Sequence, residues 1–164
     1  MKGTNYVIGL FVYIASIVLP IIVSSKAISY THIALYAVFS LIIIAGATID
    51  MHYYILPDEG ALALVIGGIM YSYINDKSML VTVLSVMSVG AITYGLRLIS
   101  HKGFGIGDIK WFSAIAMWLS PWEIICFFYV AFCVGSLYLL LTGYRNQYIP
   151  FGPFLCFGGW CALH

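Results

Sequence analysis

The chain has 164 residues, of which 63% are hydrophobic and 8% are charged, and its mean hydropathy is +1.03. A soluble domain has about a quarter charged residues, so the composition excludes a soluble protein and predicts a multi-pass protein of the lipid bilayer. The formal net charge is +1, which provides no field to attract nucleic acid or an acidic macromolecule. Function is therefore expected to depend on individual charged side chains.

Seven apolar segments follow one another, separated by polar stretches that are too short to form a second domain. They cover residues 5–24, 28–49, 60–74, 79–100, 109–120, 122–143 and 150–164. The first, second, fourth and sixth reach the ~20 residues that cross a hydrocarbon core of ~30 Å. The predicted fold class is all-α, a polytopic transmembrane helical protein with about six to seven membrane segments and a single membrane-embedded domain over residues 1–164.

The fifth segment is too short to cross a bilayer as a simple helix. Its length gives a rise of only ~18 Å, so segment 109–120 must begin within the preceding glycine-rich loop, enter a thinned bilayer or span incompletely. Most tyrosines and tryptophans lie near segment ends, as in the aromatic belts of membrane interfaces.

The first segment is expected to be a retained helix, because its apolar part is longer than that of a usual signal peptide and no A-x-A cleavage site follows it. With the N-terminus in the cytosol and seven crossings, five basic residues lie on the cytosolic side, as the positive-inside rule requires. They are Lys2, Arg97, Lys102, Lys110 and Arg145. Only Lys26 and Lys77 lie outside. The same parity places the loops 50–59 and 101–108 on the cytosolic face.

The four cysteines lie inside apolar runs, at spacings that match neither a Cys-x-x-Cys metal pair nor a disulfide framework. They are Cys126, Cys133, Cys156 and Cys161. We interpret them as small hydrophobic residues, and we expect neither a metal nor a cofactor.

Asp108 follows alternating glycines in the sequence HKGFGIGDIK, residues 101–110, and heads an apolar segment. Gly103, Gly105 and Gly107 allow backbone conformations and close approaches that side chains would block. The simplest interpretation is a flexible turn that ends in an aspartate N-cap. The functional interpretation is a loop that presents Asp108 for chemistry.

Asp50 ends a run of apolar and small residues and is expected at or just inside the cytosolic interface. An ionised side chain costs ~2.5–3.5 kcal/mol at mid-bilayer on insertion scales, less near the interface, and it usually faces a cavity or a partner. Asp50 is thus either an interfacial charge that ends its helix or part of a site. His52 either adjusts the titration of Asp50 or forms an ordinary hydrogen bond.

Two carboxylates on one membrane face can activate water without a metal. When such groups are about 3 Å apart they cannot both ionise easily, so their titrations separate. The ionised member takes a proton from water, and the neutral member polarises the scissile carbonyl. Asp50 and Asp108 are far apart in sequence, but the parity of the segments allows them to meet.

Three stretches, in this order, resemble the type IV prepilin leader peptidases, a family of membrane aspartyl proteases with a G-x-G-D element. The first is Asp50 followed after six residues by Pro57 and Asp58. The second is GIGDIK at residues 105–110, with the run WFSAIAMWLSPW behind it, and the third is IPFGPFLCFGGW at residues 149–160. The resemblance extends from about residue 40 to the C-terminus.

The resemblance implies that Asp50 and Asp108 are the catalytic pair and that Gly105 and Gly107 shape the loop that presents Asp108. It implies an aspartic endopeptidase that removes the leader from type IV prepilin- or pseudopilin-like substrates at the cytosolic face of the cell (inner) membrane. The substrate's basic leader would lie in the cytosol and its hydrophobic helix in the bilayer. Larger relatives carry an N-terminal region with paired Cys-x-x-Cys motifs, associated with methylation of the cleaved pilin. This sequence has no such motifs, so a short form without methyltransferase activity is expected.

Asp58 and Glu59 are adjacent carboxylates in the loop that is expected to begin at Asp50. We hypothesise that they bind the basic leader of the substrate. The alternative is that Asp58 caps the third segment, with Pro57 fixing its entry, while Glu59 is a solvated residue of the first helical turn.

Two other functions stay open at this point. A small proton- or cation-coupled membrane transporter could use Asp50 and Asp108, although transporters place acidic residues near the midplane in broken helices. A presenilin-type intramembrane aspartyl protease shares the G-x-G-D element. The Asp-x6-Pro-Asp and PFGPFL stretches favour the prepilin peptidases over both.

Overall fold

The computed structural model describes residues 30–100, 105–142 and 150–163. Every regular element in these ranges is an α-helix, so the all-α prediction is confirmed. The first predicted segment lies outside the described residues, as do the loop residues 101–104 and 143–149.

Six helices cover most of the described chain. They are α1 (Tyr30–Tyr53), α2 (Asp58–Ile74), α3 (Met79–Ile99), α4 (Ile106–Ala116), α5 (Pro121–Thr142) and α6 (Gly152–Leu163). Helices α1, α3 and α5 are long and apolar enough to cross a membrane, and they match the three full-length segments predicted in this part of the chain. Helices α2, α4 and α6 have 17, 11 and 12 residues, fewer than the ~20 of a full span.

Helix α1 runs past its predicted end and includes Asp50. The Tyr54 amide donates to the Asp50 carbonyl oxygen at 2.9 Å and closes the last turn. Tyr54 itself has a φ of 57°, a left-handed conformation that ends the helix. The predicted loop from residue 50 is therefore wrong, because Asp50 is helical and the connection occupies only residues 54–57.

Helix α4 begins at Ile106 and ends at Ala116. Of the three alternatives for this short segment, the structure supports a start within the glycine-rich stretch. Its 11 residues rise about 16 Å, which is about half of a hydrocarbon core, so α4 is shorter than a full membrane span.

Helix α4 nevertheless lies at the centre of the described bundle. It packs against α2, α3 and α6, while α1 packs against α2 and α6, and α5 packs along α6. The side chains of Trp111, Phe112, Ile115 and Trp118 are fully buried. The prediction of an interfacial aromatic belt is therefore wrong for the two tryptophans of this group, although it fits Trp122, which is 76% exposed.

Two ends of the bundle can be distinguished by the contacts between helices. At one end, which we call the site end, Asp50 of α1 contacts Gly152 of α6, and Asp58 of α2 contacts Lys110 of α4. At the opposite end, which we call the far end, the α2–α3 connection contacts the turn that follows α4. The first turns of α2 and α4 therefore meet at the site end, as the parity of the segments predicts.

Candidate active site

Asp50 lies near the C-terminal end of α1, and only 5% of its surface is exposed. Its Oδ2 atom accepts a hydrogen bond of 2.8 Å from the backbone N–H of Gly152, the first residue of α6. A Cβ atom at position 152 would lie 2.6 Å from that oxygen, so this close approach requires glycine. The N-terminus of α6 thus supplies a polar partner to a buried carboxylate.

Asp108 lies in the first turn of α4, where Gly105 is the N-cap. The Asp108 Oδ2 atom accepts a hydrogen bond of 3.0 Å from the Gly105 backbone N–H. In a capping box, the side chain of the third helical residue accepts a hydrogen bond from the N-cap backbone N–H, and Asp108 does so here. The interpretation of Asp108 as the N-cap is wrong, because the helix already begins at Ile106.

The glycines before Asp108 act through close contacts. Gly105 has φ −69° and ψ 149°, angles that any residue adopts, but a Cβ atom there would lie 2.9 Å from the Asp108 carboxylate. A Cβ atom at Gly107 would lie 3.4 Å from the Cβ atom of Leu56, so the first turn of α4 lies directly against the α1–α2 connection. Gly103 lies outside the described residues, and the role of the other two glycines in catalysis stays a prediction.

The two aspartates interact electrostatically. Burial raises the pKa of Asp108 to about 6, the Gly105 hydrogen bond opposes this shift, and the negative charge of Asp50 contributes to it. Both charges also act on the buried Cys156 thiol of α6, so all three groups lie where α1, α4 and α6 meet. Such a carboxyl pair can hold a single proton near neutral pH, which is the state needed to activate water.

His52 is exposed, and its Nδ1–H donates to the Thr48 carbonyl oxygen at 2.8 Å. The histidine therefore forms the ordinary hydrogen bond within its own helix. Among the described residues, no contact links His52 to Asp50.

Asp58 is the first residue of α2, and the cap position belongs to Pro57, which has no side-chain capping bond. Both Asp58 carboxylate oxygens accept hydrogen bonds from Lys110 Nζ, at 2.8 and 2.7 Å. The prediction that Asp58 caps this helix is therefore wrong, because its carboxylate pairs with a cation of α4. Glu59 lies in the first turn of α2 and is exposed. This agrees with the interpretation of Glu59 as a solvated residue of the first helical turn.

Asp58, Glu59 and Lys110 line an open cleft of about 520 Å³ between α2, α3 and α4. Lys110 is two residues after Asp108 and thus about 200° further around the helix. The cleft therefore lies on a different face of α4 from Asp108, and the structure does not bring the exposed carboxylates of Asp58 and Glu59 together with Asp50 and Asp108.

Gly152 and Cys156 are neighbours of the site that sequence reasoning did not identify. Both belong to the stretch IPFGPFLCFGGW, which pointed to a family without giving any of these residues a role. A Gly-Pro pair after a polar loop is a common helix start. Together with the parity of the segments, it could have placed a helix N-terminus at the same end as Asp50.

A model of the type IV leader peptidase family matches residues 36–140, a range that contains both Asp50 and Asp108. This chain belongs to the type IV leader peptidase family. The prepilin leader peptidase/N-methyltransferase of Dichelobacter nodosus is 29% identical over 133 residues, which cover 77% of this chain and 46% of that protein. The protein of the same name from Aeromonas hydrophila is 26% identical over 133 residues, covering 74% and 46%. Leader peptidase HopD of Escherichia coli is 29% identical over 138 residues, covering 76% and 86%.

The chain spans less than half the length of the two relatives named as N-methyltransferases. The absence of methyltransferase activity stays a prediction. No solved structure matches the chain. The transporter alternative has no support among these relatives, and the family match favours the leader peptidases over the presenilin-type proteases.

Proposed function

We propose that this member of the family is an aspartic endopeptidase that removes the leader peptide from a type IV prepilin- or pseudopilin-like substrate. The observation that carries the proposal is the placement of Asp50 and Asp108 at one end of the bundle, where the charge of one acts on the other. The names of the relatives support the substrate class.

The two carboxyl groups share one proton in the resting enzyme. The raised pKa of Asp108, about 6, favours a state in which one group is neutral while the other is ionised. The Gly152 and Gly105 amides hold one oxygen of each carboxylate in place, so the remaining oxygens can face water and substrate.

Hydrolysis proceeds in two proton transfers. The ionised carboxylate takes a proton from water as the water oxygen attacks the scissile carbonyl carbon, and the neutral carboxyl donates a hydrogen bond to the carbonyl oxygen. The resulting tetrahedral intermediate loses its amine after a proton passes from the pair to the leaving nitrogen. The leader then carries the new carboxyl group, the mature chain carries the new amine, and the pair again holds one proton.

The site end lies at the cytosolic face of the inner membrane in this proposal. The positive-inside rule supports that orientation, because most basic residues of the sequence fall on this side. A basic leader would then lie in the cytosol while the hydrophobic helix behind it stays in the bilayer. The scissile bond lies between these two parts, at the level of the paired aspartates.

Asp58 and Glu59 contribute to leader binding in this proposal, but unequally. Asp58 is already paired with Lys110, so much of its charge is balanced. Among the described residues, Glu59 has no such ion pair. An exposed carboxylate of this kind contributes about 0–1 kcal/mol to binding a cation.

The experiment that tests the proposal is leader cleavage by purified protein in detergent or liposomes. Asp50→Asn and Asp108→Asn should each lower kcat by at least about 10³-fold, because either change removes the proton-sharing pair. The matched control is Asp76→Asn. That aspartate is exposed at the far end with a φ of 50°, a conformation that asparagine also tolerates.

The control variant should cleave like the unmodified protein. Cleavage by either site variant within tenfold of the control would remove that aspartate from the mechanism. Failure of the unmodified protein to cleave any prepilin or pseudopilin leader would overturn the proposed function itself.

A further inference from the structure

Helix α4 and the turn that follows it contact α2 through the same arrangement twice. The indole N–H of Trp111 donates to the Pro57 carbonyl oxygen at 3.0 Å, and the indole N–H of Trp118 donates to the Leu64 carbonyl oxygen at 2.8 Å. Each donor is 54 residues after its acceptor. The two bonds are therefore seven residues apart on both segments, which corresponds to about 10.5 Å along a helix. The segment that contains Trp111 and Trp118 thus runs parallel to α2 in one register.

Each indole also lies in a notch made by a glycine of α2. A Cβ atom at Gly60 would lie 2.5 Å from Cζ2 of Trp111, and a Cβ atom at Gly67 would lie 2.5 Å from Cζ2 of Trp118. These glycines are again seven residues apart. Each glycine lies three residues after the residue whose carbonyl accepts the indole hydrogen bond. The hydrogen bond and the glycine notch therefore form one unit that occurs twice.

The same two indoles reach α1 on their other side. A Cβ atom at Gly46 would overlap the six-membered ring of Trp111. Phe39 packs against Trp118 with ring centroids 4.7 Å apart. Gly46 and Phe39 are also seven residues apart, in reverse order because α1 runs antiparallel to α4. Both tryptophans are 0% exposed, so each is enclosed between the two neighbouring helices.

Helix α4 needs such a device because its own length does not fix its position. A full-length membrane helix is held at its depth by the thickness of the bilayer, but α4 has only 11 residues, about half of the ~20 of a full span. Isolated helices of this length are marginally stable in water. The depth and direction of α4 must therefore come from side-chain contacts with its neighbours.

We propose that Trp111 and Trp118 are positioning residues that set the register of α4 against α1 and α2, and thereby hold Asp108 opposite Asp50. The inference rests on the proposed function of this aspartate pair. Asp108 lies about one turn from Trp111, and Asp50 lies about one turn beyond Gly46. A slip of one turn, about 5.4 Å, would separate the carboxylates. Two contacts about 10.5 Å apart prevent tilting of α4 as well as sliding.

The kinetic test uses matched substitutions in the two notches. Gly60→Ala introduces a methyl group against Trp111, and Trp111→Phe withdraws the ring atoms that it meets. Gly67→Ala and Trp118→Phe do the same in the second notch. Each single substitution should lower kcat for leader cleavage by at least about fivefold with little change in KM, since misplacement of a catalytic group affects the chemical step.

Combining the substitutions separates a positioning role from general destabilisation. Within one notch, Gly60→Ala with Trp111→Phe should recover at least half of the loss caused by Gly60→Ala. Across notches, Gly60→Ala with Trp118→Phe should show no such recovery, because a Cβ atom at Gly60 meets Trp111 and not Trp118. Equal recovery in both combinations would contradict the inference.

A second measurement reports the register without any cleavage. The Cβ position of Gly107 lies 3.4 Å from the Cβ atom of Leu56, close to the separation found in disulfides. The pair Leu56→Cys and Gly107→Cys should therefore form a disulfide under mild oxidation, identified by mass spectrometry of the joined peptides. Adding Trp111→Phe and Trp118→Phe should slow its formation at least threefold. Adding Trp122→Phe, which changes an exposed ring, should leave the rate unchanged.

The two measurements fail in different ways. Tryptophan variants that fold in lower yield, but whose folded fraction keeps the unmodified kcat and disulfide rate, would show that the indoles only stabilise the bundle, and the inference would be wrong. If the unmodified protein cleaves no leader, the proposed function fails, while the disulfide rates still decide whether the tryptophans set the register of α4.

Discussion

The two ends of α4 both contain buried or partly buried polar groups, but they satisfy them differently. At the far end, Lys77 Nζ donates to the Trp118 carbonyl oxygen at 2.9 Å and lies 4.7 Å from the centroid of the Tyr71 ring. Ser120 and Glu123 form a reciprocal capping box at the start of α5. Each of these polar groups has a partner of complementary charge or hydrogen-bonding type, which favours stability.

At the site end, two groups of like charge lie near each other. Asp50 and Asp108 accept hydrogen bonds from backbone N–H groups, and no cation pairs with either carboxylate within the ranges that the structure describes. Lys110 binds Asp58 instead. Burial without a counter-ion raises the pKa of Asp108 to about 6, and a pKa shifted in this way is typical of a group that takes part in proton transfer. The comparison assigns the chemistry to the site end and a stabilising role to these polar contacts of the far end.

The largest effect that can sharpen this comparison is expected at Gly152. In Gly152→Ala, the new methyl group would lie 2.6 Å from Asp50 Oδ2, so the carboxylate must move. Displacement of a catalytic group by about 1 Å costs on the order of 10²-fold in rate, and we expect a loss of this size in kcat. Gly95→Ala is the matched control, because a Cβ atom there meets nothing within 4 Å. Equal activity of the two variants would contradict the positioning of Asp50 by α6.

The next effect concerns pH. Asp108 has a pKa raised to about 6, so the shared proton is lost as the pH rises through this value, and kcat/KM should fall about tenfold per unit on the alkaline side. Asp50→Asn removes a like charge and should lower the pKa of Asp108. Isotope-edited infrared titration of the Asp108 carboxyl in both proteins measures this shift. Identical titrations would mean that the two groups do not interact.

The Lys77 contact at the far end should affect stability and not rate. Lys77→Met removes the donor to the Trp118 carbonyl oxygen, and hydrogen bonds to charged groups contribute roughly 1.5–3 kcal/mol. We expect the free energy of unfolding to fall by about 1–2 kcal/mol in a denaturation experiment, while kcat per folded molecule stays unchanged. A loss of kcat without a loss of stability would mean that the Lys77 contact serves catalysis and not stability.

The smallest effect is expected at the exposed carboxylates. Glu59→Gln should raise KM for a basic leader by up to about fivefold, equivalent to ~1 kcal/mol, and Asp58→Asn should raise it less because Lys110 already balances that charge. Both effects should vanish at high salt and for a leader whose basic residues are neutralised. An increase in KM that persists with the neutral leader would rule out electrostatic capture.

The features of the fold that sequence reasoning identified correctly are those with a local signal. The glycines at 105 and 107 marked the start of α4. Asp50 and Asp108 stood out because charges in apolar segments are rare, and their role as a catalytic pair stays a prediction. The three full-length helices followed from uninterrupted apolar runs. The end of α1 was misplaced because it is formed by Tyr54 in a left-handed conformation, and no glycine or proline at this position indicates such a turn in the sequence.

The features that sequence reasoning missed depend on contacts between distant segments. The Gly152 amide and Asp50 are 102 residues apart, and Lys110 and Asp58 are 52 residues apart. Neither pairing produces a local periodicity. Trp111 was not singled out, because an indole near a segment end looks the same in sequence whether it faces lipid or a glycine of a neighbouring helix.

The measurement that tests the central claim most directly is the rate of leader cleavage by Asp50→Asn, Asp108→Asn and the double variant, each compared with the unmodified protein at equal folded amount. If the two carboxyl groups share one proton and act as a unit, either single change already removes the unit, and the double variant should be no slower than the slower single variant. Losses that multiply in the double variant would mean that the aspartates act independently, and this result would contradict the account.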